Sequence, residues 1–205
     1  MNRFLLFLLS IFWCMAGISA NHPSSLLPLP QKYHFNDRKS SGELTVEEKY
    51  VSQIEGAKFQ EEAYHLTVTG KRIILEATTP KGMYWGKQTL EQLKYTKNKK
   101  TYLPQCDITD WSAFRIRGFM HDVGRSYIPV EELKREISLL SRYKINVFHW
   151  HLTENQAWRL ESKRYPQLNA PENMEREKGK YYTLDEARQL VEFCKQHQVL
   201  LIPEI

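Results

Sequence analysis

Apolar and polar residues alternate along Ala63-Tyr-His-Leu-Thr-Val68 and again along Arg72-Ile-Ile-Leu-Glu-Ala77. A period of two sends successive side chains to opposite faces of a strand, so the two segments predict a β-hairpin that turns at Thr69-Gly70. Beyond Pro80-Lys-Gly-Met-Tyr-Trp-Gly86 the period lengthens, and a short helix is expected over about residues 82–95 with Leu90 and Leu93 inward. Residues 21–30 read as a proline-rich extended leader and residues 42–54 are weakly patterned. Lys97-Asn-Lys-Lys100 makes a polar turn, and residues 103–111 read as a connector. Residues 21–111 therefore read as a small α+β domain.

The rest of the chain changes rhythm. Residues 114–123 read as a strand ending in His121-Asp122. Residues 129–143 read as a helix with Val130, Leu133, Ile137 and Leu140 on one face. Pro129 suits its first position, and Glu131 and Glu132 fall in the first turn, where the helix dipole favours acids. Residues 145–152 form an apolar run of strand length that breaks into the polar loop Thr153-Glu154-Asn155-Gln156. Thr183-Leu-Asp-Glu186 has the form of a capping box and opens a second helix, with Leu184, Ala187, Val191 and Cys194 as its apolar face. Residues 199–205 give a third strand. Strand, helix, strand, helix, strand at these spacings makes two βαβ units in an α/β fold with a parallel sheet and right-handed crossovers.

Ligands of such sheets bind at the carboxyl ends of the strands. His149 and His151 share one face of their strand, opposite Phe148 and Trp150, so two imidazoles gather near Glu154 at one strand end.

Composition narrows the class. With 41% apolar and 26% charged residues the chain is ordinary globular protein. Residues 1–20 differ: Arg3, an apolar run over 4–15 and the small residues of Ala16-Gly-Ile-Ser-Ala20 read as a secretory signal peptide, which implies export to the periplasm or outside the cell. A membrane anchor is the competing reading, but the run falls short of the roughly 20 apolar residues that a span needs. Cleavage after Ala20 leaves 28 lysines and arginines against 24 acids. That mild excess has no basic face interleaved with aromatics, so nucleic acid is not an expected partner. Cleavage also leaves Cys106 and Cys194, which lack metal-ligand spacing and read as small buried residues.

Arg117-Gly-Phe-Met-His-Asp-Val-Gly-Arg125, Lys144-Ile-Asn-Val-Phe-His-Trp-His-Leu-Thr153, Tyr182-Thr183 and Ile202-Pro-Glu-Ile205 closely resemble the start of the catalytic barrel of glycoside hydrolase family 20. Glu62-Ala-Tyr-His-Leu66, Gly82-Met-Tyr-Trp-Gly86 and Gln88-Thr-Leu-Glu-Gln-Leu93 resemble the small domain that precedes that barrel. The resemblance covers most of residues 27–205 and implies a β-N-acetylhexosaminidase: residues 112–205 would begin a (β/α)8 barrel, a fold of about 250 residues. Members of this family are substrate-assisted, the sugar's own acetamido oxygen attacking the anomeric carbon. An adjacent Asp-Glu pair supports that attack, and no cofactor or metal is needed. By resemblance the pair lies on the next strand, outside these residues, and the chain alone is expected to be inactive.

Within the chain the resemblance assigns Arg125 to the outer hydroxyls of the terminal sugar, which a planar fork of donors suits. A plain ion pair with Asp122 is the competing reading. Asp122, His151, Glu154 and Trp158 are candidates for holding the site from behind. Glu154 stands where the family usually has Asp, and Trp158 is either a sugar platform or core. Two other classes remain open. His149 and His151 could bind zinc in a metal-dependent hydrolase, or the chain could be a non-catalytic sugar-binding remnant. The expected partners are glycans bearing N-acetylhexosamine.

Overall fold

A computed structural model describes residues 26–205; the expected signal peptide lies outside them. Among the described residues the amino-terminal part is a six-stranded sheet carrying one α-helix. Its strands are β1 (Lys32–Ser41), β2 (Thr45–Tyr50), β3 (Tyr64–Thr69), β4 (Arg72–Ala77), β5 (Tyr95–Lys97) and β6 (Lys100–Asp110), and the helix is α1 (Pro80–Leu93). The sheet order is β1-β6-β3-β4-β2, with β5 paired to β6. The alternation in β3 and β4 does what it predicts: Tyr64, Leu66, Val68, Ile73, Leu75 and Ala77 are buried in one core with Met83, Trp85, Leu90 and Leu93 of α1.

Four expectations need correction here. The hairpin turns at Gly70-Lys71, one residue later than expected, with Gly70 at φ +50. α1 begins at Pro80, because the Thr79 hydroxyl accepts the Gly82 N–H at 3.1 Å and caps the helix before its glycine. The weakly patterned stretch contains β2, which pairs parallel with β4. The expected connector is most of β6, which pairs with β1, β3 and β5. Buried Leu103 and Cys106 are three apart across Pro104, and that slip in phase hides the strand period.

The two glycines of the Gly82-Met-Tyr-Trp-Gly86 motif set how closely α1 lies on the sheet. A Cβ at Gly82 would overlap the Ala63 carbonyl oxygen, and one at Gly86 would overlap Leu75 and sit 3.1 Å from the Tyr64 ring.

The carboxyl-terminal part has β7 (Gly118–Asp122), α2 (Val130–Arg142), β8 (Val147–His151), the short strands β9 (Thr153–Glu154) and β10 (Ala157–Trp158), α3 (Leu184–Gln196) and β11 (Leu200–Glu204). The main strands run β11-β8-β7, and both pairings are parallel. Val130, Leu133 and Ile137 of α2 are buried against Phe148 and Trp150. The Thr183 capping box forms in full.

The differences are local. Residues 114–117 are a bend and irregular chain rather than strand, with Phe114 and Ile116 exposed and Arg117 turned inward. Pro129 is the N-cap of α2, not its first helical residue. Thr153 to Trp158 forms a tight hairpin turning at Asn155-Gln156, not an open loop. The inner line of α3 runs through Leu190 and Cys194, and Val191 is exposed beside an apolar groove. Both lines have helical spacing, so the period alone does not choose between them.

Two buried ionic clusters join the parts. Lys144 Nζ lies 2.7 Å from Asp110 Oδ2 and donates to the Tyr64 hydroxyl at 2.9 Å. Glu62 takes Arg117 at 2.8 Å, Lys81 at 2.9 Å and the Asn146 amide at 3.1 Å. No helix among the described residues is long and apolar enough to cross a membrane.

Candidate functional site

The parallel register sets Asp122, His151 and Glu204 side by side at the carboxyl ends of β7, β8 and β11. His149 lies two residues back on the same face of β8, while Phe148 and Trp150 point into the core, as the alternation predicts. Both imidazoles converge on one oxygen of Glu204, His149 Nε2 at 2.7 Å and His151 Nδ1 at 2.5 Å. His151 Nε2 looks the other way, 3.3 Å from Glu154 Oε1. His151 therefore lies between two carboxylates, hydrogen-bonded to Glu204 and within ion-pair distance of Glu154.

Arg125 closes this row. Its backbone N–H donates to Asp122 Oδ1 at 3.0 Å and its Nη1 to Asp122 Oδ2 at 2.5 Å, while Nη2 donates to Glu154 Oε1 at 2.6 Å. The side chain is still 57% exposed. The two carboxylates thus fix the guanidinium plane and leave donors facing solvent. The hairpin brings Glu154 within reach, and Gly124 permits the approach: a Cβ there would sit 3.0 Å from the Glu154 backbone nitrogen. Trp158 pairs with Thr153 across the hairpin and is half-buried, its indole N–H buried without a protein acceptor.

Asp122, His151 and Glu154 offer ligand atoms within 4.8 Å of one another, a grouping that could hold a metal ion. The grouping leaves out His149, which the zinc alternative paired with His151 and which lies 2.7 Å from Glu204. The Arg125 guanidinium already bridges two of the three, supplying the positive charge that the acids call for.

The hydrogen bond to Glu204 holds the pKa of His151 above the ordinary imidazole value, and the same bond lowers that of Glu204. The carboxylates that face His151 are Glu204 from β11, Asp122 from β7 and Glu154 from β9, the last two also paired with Arg125. Because the folded pKa is raised, this stabilisation is fully present below the unfolded value and is lost as pH rises through the folded one. Glu204→Gln should bring the His151 titration down, read from histidine NMR shifts. An unmoved titration would show that Glu204 does not hold the charge.

Two participants carry no role in the sequence reading. Glu204 sits in the quoted Ile202-Pro-Glu-Ile205 motif, and its place at the end of the third parallel strand was a usable signal. Arg159 gave none: one arginine after a hairpin does not show that it is wholly buried.

The model of the glycosyl hydrolase family 20 catalytic domain matches residues 114–205, and that of domain 2 of the same family matches residues 24–111. A β-hexosaminidase of Porphyromonas gingivalis is 34% identical over 76% of this chain and 22% of its own length. One of Vibrio furnissii is 36% identical over 71% of this chain and 26% of its own. The chain thus spans about a quarter of the length of these relatives. Among solved structures, the family 20 exo-β-N-acetylglucosaminidase of Vibrio harveyi, in complex with N-acetylglucosamine, superposes with a TM-score of 0.78 at 30% identity, covering 90% of this chain and 36% of that one. The chitobiase of Flavobacterium johnsoniae gives 0.76 at 28%, covering 88% of this chain and 34% of its own. Two family models, laid end to end across the small domain and the parallel strands, show that the chain belongs to glycoside hydrolase family 20.

Proposed function

We propose that this chain supplies the small domain, over residues 21–111, and the opening strands of the barrel, from residue 112, of an exported β-N-acetylhexosaminidase. Two separate hydrophobic cores support that division, and the apolar run of residues 4–15 supports export. The reaction is release of terminal β-linked N-acetylglucosamine or N-acetylgalactosamine with retention, the substrate's acetamido oxygen acting as nucleophile. The observation that carries the reading is the setting of Arg125: an exposed guanidinium, oriented by Asp122 and Glu154, at the carboxyl end of the first parallel strand. There it would donate to the outer hydroxyls of the terminal sugar. Glu154, one methylene longer than the usual Asp, still reaches the arginine, which supports its taking the same orienting part.

The test is Arg125→Ala in the full-length enzyme. Each charge-assisted hydrogen bond to the sugar is worth roughly 1.5–3 kcal/mol, so kcat/KM on an aryl N-acetylglucosaminide should fall on the order of tenfold or more. The melting temperature should change little, because exposed ion pairs contribute only about 0–1 kcal/mol. Normal kinetics with a lowered melting temperature would reduce Arg125 to an ion-pair partner. Chelation should leave the rate unchanged; loss in EDTA restored by zinc would favour a metal at Asp122, His151 and Glu154.

A further inference from the structure

Arg159, the first residue after β10, is fully buried. Its guanidinium is nonetheless saturated with acceptors. Nε donates to the Val123 carbonyl at 3.1 Å, and Nη1 to the carbonyls of Lys180 at 2.8 Å and Glu177 at 3.3 Å. Nη2 donates to the Arg176 carbonyl at 3.2 Å and the Glu177 carboxylate at 3.3 Å. Burying a cation is costly, and backbone carbonyls recover that cost only while they are held in one arrangement. What Arg159 holds is therefore defined: the end of β7 on one side and residues 176–180 on the other.

Those two segments meet again at Arg125. Val123 lies two residues before it. Two residues after it, the Tyr127 N–H donates to the Glu177 carboxylate, the same group that Arg159 grips. The Arg176 guanidinium donates to the Arg125 carbonyl itself at 3.3 Å. The backbone on both sides of Arg125 is thus tied, directly or through one residue, to the Arg159 guanidinium, while the Arg125 side chain, held by Asp122 and Glu154, keeps an exposed edge to solvent.

We propose that Arg159 is a positioning residue for sugar binding: it sets the backbone that aims the Arg125 guanidinium, and the affinity for the terminal sugar depends on it through Arg125. This rests on the reading of Arg125 as the residue that holds the outer hydroxyls. Arg159→Lys keeps the charge but not the fork, so it can serve one carbonyl group while releasing the other segment. Its effect should then appear in KM rather than kcat, since the bond-breaking groups are untouched.

The experiment is a double-mutant cycle in the full-length enzyme, using an aryl β-N-acetylglucosaminide. Arg159→Lys should raise KM about fivefold or more with kcat within about twofold. Placed on top of Arg125→Ala, it should change kcat/KM by less than about twofold, because the residue it acts through is gone. Glu177→Ala breaks the same clamp from its half-exposed end and should show the same non-additivity, which keeps the test decisive where Arg159→Lys lowers the folded yield. Equal effects of either substitution with and without Arg125 would make the clamp merely structural and overturn the proposal, leaving Arg125's role intact. Near-normal kinetics for Arg125→Ala alone would instead overturn the role of Arg125 and this inference with it.

Discussion

Lys144→Met should destabilise the protein by about 3–5 kcal/mol, the usual cost of removing one partner from a buried ion pair. Both side chains are only 7% exposed, so Asp110 would be left as a carboxylate without its cation. It would keep the Tyr64 hydroxyl at 2.8 Å and the Gln31 N–H at 3.0 Å, two neutral donors that do not balance a desolvated charge. Opposing electrostatic effects meet in this cluster. Burial pulls the pKa of Lys144 down while Asp110 pulls it back, and burial together with the Asp110 charge raises that of Tyr64 well above its ordinary value. Lys144 also sits at φ +63, but methionine bears the same backbone cost, so the difference reports the side chain. Adding Asp110→Asn should recover part of the loss, because the amide keeps an acceptor for Tyr64 without an unpaired charge. Urea unfolding measures both variants, and a loss below about 1 kcal/mol for Lys144→Met would mean that water reaches Asp110.

Gly82→Ala is expected to cost about 1–3 kcal/mol, although alanine is the better helix former by about 1 kcal/mol. The new methyl meets backbone rather than a side chain that could rotate away: besides overlapping the Ala63 oxygen, it would lie 3.2 Å from the Ala63 carbonyl carbon. Helix α1 would have to move off β3, and Met83 and Trp85, buried beside it, would lose packing. The melting temperature should fall by several degrees. A rise would show that propensity outweighs the close approach.

Where the sequence was legible, one period ran unbroken through an element. β3, β4 and α2 satisfy that condition, and β8 adds a sharp change from apolar to polar that marks its wet end. β6 failed it at Pro104, and α3 carries two apolar lines of helical spacing, one buried through Leu190 and Cys194, the other lining an apolar groove beside β11 through Ala187 and Val191. The site was half legible for a related reason. Alternation along β8 predicts that His149 and His151 gather near Glu154; His151 does lie 3.3 Å from it, whereas His149 turns to Glu204. The sharing of Glu204 between two histidines depends on the register of β11 against β8, which a single strand's pattern does not contain. Arg159 depends on where a loop of residues 174–180 returns, which has no local signal at all.

The seam between the two parts bears on how sequences of this family can be recombined. A crossover placed at the short bend after Asp110 looks harmless on the chain, since few residues join the halves there. It would nevertheless separate Asp110 and Tyr64 from Lys144, and Glu62 from Arg117 and Asn146. A chimera taking each half from a different parent would inherit a buried acid from one and need its matching base from the other. Grafts of the small domain should therefore work only between parents that agree at these six positions, whatever their identity elsewhere.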